Sequence, residues 1–425
     1  MRVLIVNTSE RTGGAAVAAN RLMEALNNNG VKAKMMVRDK DTDSLTVADV
    51  GGGLRSKWHF LWERWCIFCH LHFSREHLFE VDIANTGSDI TGLREFKEAD
   101  IIHLHWINQG MLSLNGIRKI LDSGKPVVWT MHDMWPATAI CHLTLGCRKF
   151  TESCSHCPLM PRKSPFGDLA RKVWRRKMRI MRTHGRVIFV TCSRWLASDA
   201  KRSKLLEGNK IMSIPNPLDT RTFCPGDKEE ARRVLGLPQG RRLILAVAQR
   251  VSNVNKGMSY LIEACRTLAR LNPSLVGNLG VVMLGGSGEE VASSFDVPAY
   301  PLGYSTDVDK IVAAYRAADL FVTPSLSENL PNTIMEAMAC GIPCVGFNTG
   351  GIPEMIDHRK NGYVAAYKDA EDLARGISWA LSEADYDGLA RNAVRKVSTT
   401  YSQQSVALRY IEVYNQAIAF RHYKL

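Results

Sequence analysis

The strongest constraint in this chain is its run pattern: short stretches almost unbroken in apolar residues alternate with longer amphipathic ones. Strands wetted on one face alternate apolar with polar residues, whereas strands covered on both faces do not. Val3–Val6, Ala33–Val37, Ile101–His105, Val127–Met131 and Val187–Cys192 read as the covered kind, as do Leu243–Val247, Val281–Leu284, Leu320–Val322 and Cys344–Gly346. Covered strands need helices on both sides, which predicts an α/β protein built on parallel sheets. At 425 residues the chain exceeds what one core commonly supports. A break is offered by Ile214-Pro215-Asn216-Pro217-Leu218-Asp219, where two prolines in a polar turn interrupt helix and ladder alike. The expected division is 1–214, 215–401 and a closing helix in 402–425, with Val406, Leu408, Ile411, Val413 and Tyr414 at near-helical spacing.

Charge narrows the choice of partners. A net charge of +13 attracts something acidic: nucleic acid, an anionic bilayer or a phosphorylated small molecule. No helix-turn-helix, aromatic ladder or finger array supports nucleic acid. Met1 leads straight into the first strand candidate, and no apolar stretch nears the roughly 20 residues of a spanning helix, so a cytoplasmic location is expected. In that reducing setting the eleven cysteines are thiols or metal ligands rather than disulfides. Two stretches suit peripheral contact with an anionic membrane. Leu54 to Phe79 mixes Trp58, Phe60, Leu61, Trp62, Trp65, Ile67 and Phe68 with Arg55, Lys57 and Arg64, although core burial of the aromatics reads equally well. In Arg162 to Arg186, the cations from Arg171 to Arg182 surround Val173, Trp174, Met178, Ile180 and Met181, which favours an anionic surface or a lipid phosphate.

Several strand ends carry polar groups suited to chemistry. After Leu320–Val322 a polar loop holds Glu328, Asn329 and Leu330, then a helix begins near Asn332 and Thr333 and carries Glu336. With Asn332 as N-cap, the first-turn amides would point into the crevice at the strand's carboxyl end, where open α/β sheets bind ligands and a pyrophosphate can sit. Glu328 could reach sugar hydroxyls and Glu336 could accept bidentate hydrogen bonds from ribose hydroxyls. Taken alone, two glutamates at this spacing fit a solvated loop and an ordinary helix just as well. Arg250 and Lys256-Gly257 follow the strand Leu243–Val247, and two cations there suit a diphosphate leaving group. Gly285-Gly286-Ser287-Gly288 and Gly350-Gly351 mark tight turns after two further strands.

Taken in order, Arg250, Lys256-Gly257, the Gly285–Gly288 turn, Glu328 and Glu336, Ala337-Met338-Ala339-Cys340-Gly341-Ile342-Pro343 and Gly350-Gly351 resemble the retaining family 4 glycosyltransferases. The resemblance implies a GT-B fold: two Rossmann-like domains facing across a cleft, with the closing helix packed back on the first. It implies that 1–214 binds the acceptor and 215–401 a nucleoside-diphosphate sugar, with Arg250 and Lys256 on the phosphates. Glu328 would touch the transferred sugar, Glu336 the ribose, and the amides near Asn332 and Thr333 the pyrophosphate. It also implies retention of configuration, no catalytic metal, and a glycan or polyprenyl-linked acceptor. One departure stands out. Where members carry Phe-Gly, this chain has Leu330-Pro331, and proline supplies no N–H to a sugar.

In the first half, Gly13-Gly14 opens a helix after the first strand, without the dinucleotide fingerprint that a dehydrogenase would show. A simple glycine turn fits as well; the resemblance places this loop facing the donor. His132, at the end of Val127–Met131 and beside Asp133, could be held by that carboxylate and assist the reaction, while His103 and His105 read as structural. Cys141, Cys147, Cys154 and Cys157 form a Cys-x5-Cys-x6-Cys-x2-Cys-Pro loop that suits a structural zinc, with His142 and His156 as substitute ligands, or else free thiols or a disulfide pair formed on oxidation. A similar loop follows the His-Asp-x-Trp-Pro element in a bacterial polysaccharide branch of the family, of the colanic-acid type. Two rivals remain from the sequence. A sugar-nucleotide epimerase of the same fold would convert donor without acceptor, and a catalytically silent assembly scaffold would bind no nucleotide sugar.

Overall fold

The computed structural model describes residues 1–51, 53–161, 166–183 and 187–422. They form two compact units: Met1–Pro215 together with the chain from Val406 onward, and Asn216–Ser405. The chain therefore leaves its first unit at Pro215 and returns to it at Val406.

The first unit is built on a parallel sheet of seven strands: β1 (Arg2–Ser9), β2 (Lys32–Asp39), β3 (Val47–Asp49), β4 (Ile101–Leu104), β5 (Val127–Met131), β6 (Val187–Thr191) and β7 (Lys210–Ser213). Their order is β3-β2-β1-β4-β5-β6-β7. Successive residues feed opposite layers: Leu4 and Val6 enter one core, Val3 and Ile5 the other. That is why β1 shows no polar alternation. The helices that matter below are α1 (Gly14–Asn28), α2 (Gly53–His70), α3 (Leu169–Thr183), α4 (Val308–Ala317), α5 (Asn332–Ala339) and α6 (Gln403–His422). On one face of the first sheet pack Ile67 of α2 and Ala170, Val173, Trp174, Ile180 and Met181 of α3. On the other lie α1 and α6, the latter through Val406, Ala407, Tyr410, Val413, Tyr414 and Ala417. Leu408, expected on the buried side of the closing helix, is exposed, and Tyr410 takes that place.

The second unit holds a parallel sheet of six strands: β8 (Arg242–Arg250), β9 (Leu279–Gly286), β10 (Ala299–Gly303), β11 (Leu320–Thr323), β12 (Cys344–Phe347) and β13 (Gly362–Ala365). Their order is β10-β9-β8-β11-β12-β13. Each sheet thus reverses direction once, between β1 and β4 in the first and between β8 and β11 in the second. Connections diverge on either side of such a point and leave a crevice at the strands' carboxyl ends. The candidate residues stand at these two places.

Candidate functional site

In the second unit, three loops close on one another beyond β8, β11 and β12. The amide of Leu326 donates to the Asn255 carbonyl at 2.8 Å, and that of Gly351 to the Glu328 carbonyl at 3.3 Å. Two glycines make the approach possible. A Cβ on Gly257 would lie 1.9 Å from the Pro324 carbonyl oxygen, and one on Gly350 would lie 1.6 Å from that of Glu328. Any side chain there would push the loop away. The loop so gripped presents the Glu328 carboxylate to Lys256, whose ammonium forms a direct ion pair with it, both half-buried. A partly wetted pair of this kind contributes only about 0–1 kcal/mol, so a competing anion or hydroxyl can exchange into it. Arg250 ends β8 opposite Gly286, exposed and without an ion pair among the described residues.

Asn332 is not the N-cap. Pro331, extended at φ −67° and ψ 118°, stands in that position, and Asn332 is the first residue of α5. Its side-chain oxygen instead accepts from the Asn216 amide at 3.0 Å. The reason is local: proline's fixed φ already suits the approach to a helix, and a neighbour claims the asparagine oxygen. No side-chain cap serves the first turn of α5, where Thr333 is half-buried; its amides and the helix dipole suit an anion. Asn329 is half-buried and Leu330 is buried beneath the loop. Glu336 lies one turn deeper, away from the Lys256–Glu328 pair in chain position and buried. Its carboxylate accepts from the Tyr315 hydroxyl at 2.7 Å. Tyr315, on α4, is itself wholly buried against Phe223 and Phe321. Neither Tyr315 nor Asn216 carried a signal in the sequence: one sits in an ordinary amphipathic helix, the other between the prolines of the break.

In the first unit, Gly13 caps α1 at φ 93° with no side-chain cap, and Gly14 begins the helix. His132 stands just past β5 and meets His105, Nε2 to Nδ1, at 3.0 Å. The Nδ1 of His132 lies 3.5 Å from the Cys192 thiol, and the charge of Asp133 acts on the ring. Asp133 itself accepts from the Trp106 indole at 2.8 Å, the Trp135 amide at 2.8 Å and His142 at 2.7 Å. Burial pushes His132 down to about 4 and His103 down to about 3. These imidazoles are neutral at physiological pH and act through hydrogen bonds. His103 bonds the hydroxyls of Tyr414 at 2.8 Å and Thr130 at 2.7 Å. His142 is the opposite case. Burial alone would lower it, but Asp133 and Asp82 outweigh that and raise it to about 10. Its Nε2 meets Asp82 at 2.5 Å, so it bridges two carboxylates and is not a spare metal ligand.

The four loop cysteines, Cys141, Cys147, Cys154 and Cys157, line one small cavity of about 20 Å³ beside Phe150 and Lys149. The donors are of a kind that suits zinc. Among the described residues, however, no three His, Cys, Asp or Glu side chains are disposed as a metal's ligand set. Burial pushes the Cys141 thiol up to about 12 and Cys154 to about 11, outweighing the Lys177 ammonium, which pulls both down. His156 is exposed and lies near Asp168. Of the basic stretch, Arg162 and Arg186 lie outside the described residues.

Comparison with known proteins follows the same two halves. Residues 12–222 match the family model described as "Glycosyltransferase Family 4", and residues 227–397 match "Glycosyl transferases group 1". The chain is 28% identical over 221 residues to a D-inositol 3-phosphate glycosyltransferase of Saccharomonospora viridis, covering 49% of this chain and 51% of that one. It spans about half the length of such relatives. An uncharacterized glycosyltransferase of Methanocaldococcus jannaschii is 26% identical over 80% of this chain and 90% of its own. Among solved structures, Anabaena HepE in complex with UDP superposes with a TM-score of 0.64 at 15% identity, covering 98% of this chain and 100% of that one. At that identity the likeness concerns the fold, which is the α/β GT-B fold.

Proposed function

Taking as premise that the chain carries both halves of a family 4-type glycosyltransferase, we propose that it moves a sugar from a nucleoside diphosphate to a hydroxyl of a glycan or polyprenyl-linked saccharide. The observation that carries this reading is the Lys256–Glu328 pair, fixed by two close-packed glycines at the strand reversal of the second sheet. A diphosphate arriving there competes for the ammonium that Glu328 holds. The carboxylate is then released to sugar hydroxyls, while Arg250 and the first turn of α5 take up the remaining phosphate charge. Glu336, oriented by Tyr315, accepts from ribose hydroxyls. Gly13 and Gly14 approach the donor by backbone, and His132, neutral, hydrogen-bonds the reacting sugar.

In the transfer, the acceptor oxygen bonds to the anomeric carbon as the bond from that carbon to the diphosphate breaks. The proton of the acceptor hydroxyl passes to the departing diphosphate on the same face, so the configuration is retained, and no metal takes part. The phosphate charge that develops is what Arg250 and Lys256 stabilise. The acceptor belongs to polysaccharide assembly at the cytoplasmic face of a membrane, with no nucleic acid involved. Zinc at Cys141, Cys147, Cys154 and Cys157 is part of the proposal as a brace for their loop; metal analysis finding about one zinc per chain supports it, and a zinc-free, fully active protein removes it.

HepE was solved with UDP, which makes uridine the first base to try. Melting curves with UDP-, GDP- and ADP-sugars test the donor reading, since a ligand bound only to the folded state raises the melting temperature. A rise with one base family supports it; no rise with any of them removes it. An inverted anomer in the product would overturn the front-side path.

A further inference from the structure

Helix α2 is built inside out. Soluble helices turn apolar side chains inward and ionised ones to water. Here Glu63 and Arg64 are buried, with the Glu63 carboxylate accepting from the Ile83 and Ala84 amides at 2.9 and 2.6 Å and Arg64 paired with Asp82. The opposite face exposes Trp58 (62%), Leu61 (56%), Trp62 (45%) and Trp65 (52%), at positions i, i+3, i+4 and i+7. Leu54 and Phe73 extend that face at either end, both exposed, and Phe73 packs its ring 6.4 Å from Trp65. The sole carboxylate of α2 is the buried Glu63, so its exposed charges, Arg55 and Lys57, are all positive.

The stripe runs on into a basic surface. The ring of His70, at the end of α2, lies tilted 5.2 Å from that of Phe166, whose carbonyl accepts from Lys172 of α3. Helix α3 carries no carboxylate. Its apolar residues enter the core, and Arg171, Arg175, Arg179 and Arg182 line an open groove of about 630 Å³ around Trp174 and Met178. No helix of the described residues is long and apolar enough to cross a membrane.

From these observations we infer that α2 and α3 together form a docking surface for an anionic lipid bilayer: the exposed tryptophans of α2 enter the interface and the arginines of α3 take phospholipid headgroups. Tryptophan prefers the wet–apolar boundary, and a helix with this distribution lies in the plane of the interface. Cations alone would give a weak, salt-sensitive attachment, and the tryptophans alone would not distinguish anionic lipid; the pair supplies both. The inference rests on the lipid-linked acceptor proposed above for its purpose, though not on the donor site for its physics.

Vesicle co-sedimentation of the full chain tests it, with phosphatidylcholine alone and with added phosphatidylglycerol. Binding to the anionic vesicles is expected, with a blue shift of tryptophan emission. The combined Trp58→Ser, Trp62→Ser and Trp65→Ser change should weaken it at least about tenfold. Arg171→Glu with Arg175→Glu should abolish the preference for phosphatidylglycerol. Both variants should keep the melting temperature and donor-induced melting rise of the wild type, which shows that they fold. Wild-type protein that ignores anionic vesicles, or tryptophan variants that bind them unchanged, overturns the inference even where donor binding is intact. So does a concentration-dependent dimer that the tryptophan changes dissolve, which would assign the stripe to a second copy. Vesicle binding in a protein that takes up no nucleotide sugar would keep the docking surface and lose the transferase reading.

Discussion

At the carboxyl edge of the second sheet two ionised groups, Lys256 and Glu328, meet as a half-buried pair. At the matching edge of the first sheet the imidazoles of His103, His105 and His132 touch one another and are kept neutral by burial. The topology is the same, with a strand reversal and loops converging beyond it. The electrostatics are opposed. A weak, wetted ion pair can be traded for a ligand's charges at little cost. A buried neutral imidazole cannot trade charge, because ionising it costs its burial; it contributes direction and hydrogen bonds. The contrast supports the proposed placement of charged phosphates in the second unit and neutral hydroxyls in the first.

The sharpest way to break this contrast is Glu328→Gln, which keeps the shape and removes the charge. Turnover at saturating donor should fall by about two to three orders of magnitude, with little change in melting temperature. Unchanged turnover would mean that the charged edge is not the reacting one.

The neutral edge makes its own prediction, through pH. Unfolded, His103 and His105 titrate near 6.5; folded, burial holds the first down to about 3 and the second well below its ordinary value. Below 6.5 the unfolded chain therefore binds more protons. This contribution is whole above about pH 6.5 and is lost as the pH falls toward the folded values. The slope is about 1.4 kcal/mol per pH unit for each histidine. Urea denaturation from pH 7 to 5 measures it; because His132, held down to about 4, adds a third such contribution, His103→Gln should remove about a third of the histidine slope. A stability flat across that range would show that the imidazoles ionise inside the fold.

The smallest effect concerns Tyr315. Glu336→Ala should weaken donor binding about tenfold or more, whereas Tyr315→Phe, which removes one hydrogen bond worth about 1 kcal/mol, should weaken it about fivefold with turnover unchanged. Isothermal titration separates the two. Equal losses would make Tyr315 a direct contact and not a positioning residue.

The sequence made the central strands legible and the edges not. The expected runs recover β1, β2, β4, β5, β6, β8, β9, β11 and β12. The four strands it did not show, β3, β7, β10 and β13, are the four sheet edges. Edge strands are paired on one side only, and three of these four are less fully covered: Lys210-Ile211-Met212-Ser213 is exposed to half-buried throughout, and β10 contains Pro301, whereas the largely buried β13 is only four residues long and opens on Gly362. At the site, residue types at strand ends gave Lys256 and Glu328 as separate candidates; their contact depends on close packing of Gly257 and Gly350, which spacing does not encode. Asp133 beside His132 suggested one partnership, whereas the carboxylate also accepts from Trp106, the Trp135 amide and His142, which spacing did not show. For Leu54 to Phe79 the composition left core and interface equally open, since a helix that buries Glu63 has the same residues as one that buries Trp62.

The return of the chain at Val406 has a consequence for how the molecule is made. Synthesis completes the strands of the first sheet early, yet one of its two faces is covered by α1 alone until α6 emerges, after nearly all of Asn216–Ser405 has been translated. Val3, Ile5, Val128 and Val190, which α6 shares a core with, are by then long out of the ribosome. The second unit can close on its own residues while the first waits. A nascent chain stalled just short of Gln403 would thus hold a finished second unit beside a first that is sticky, half-covered and open to proteolysis.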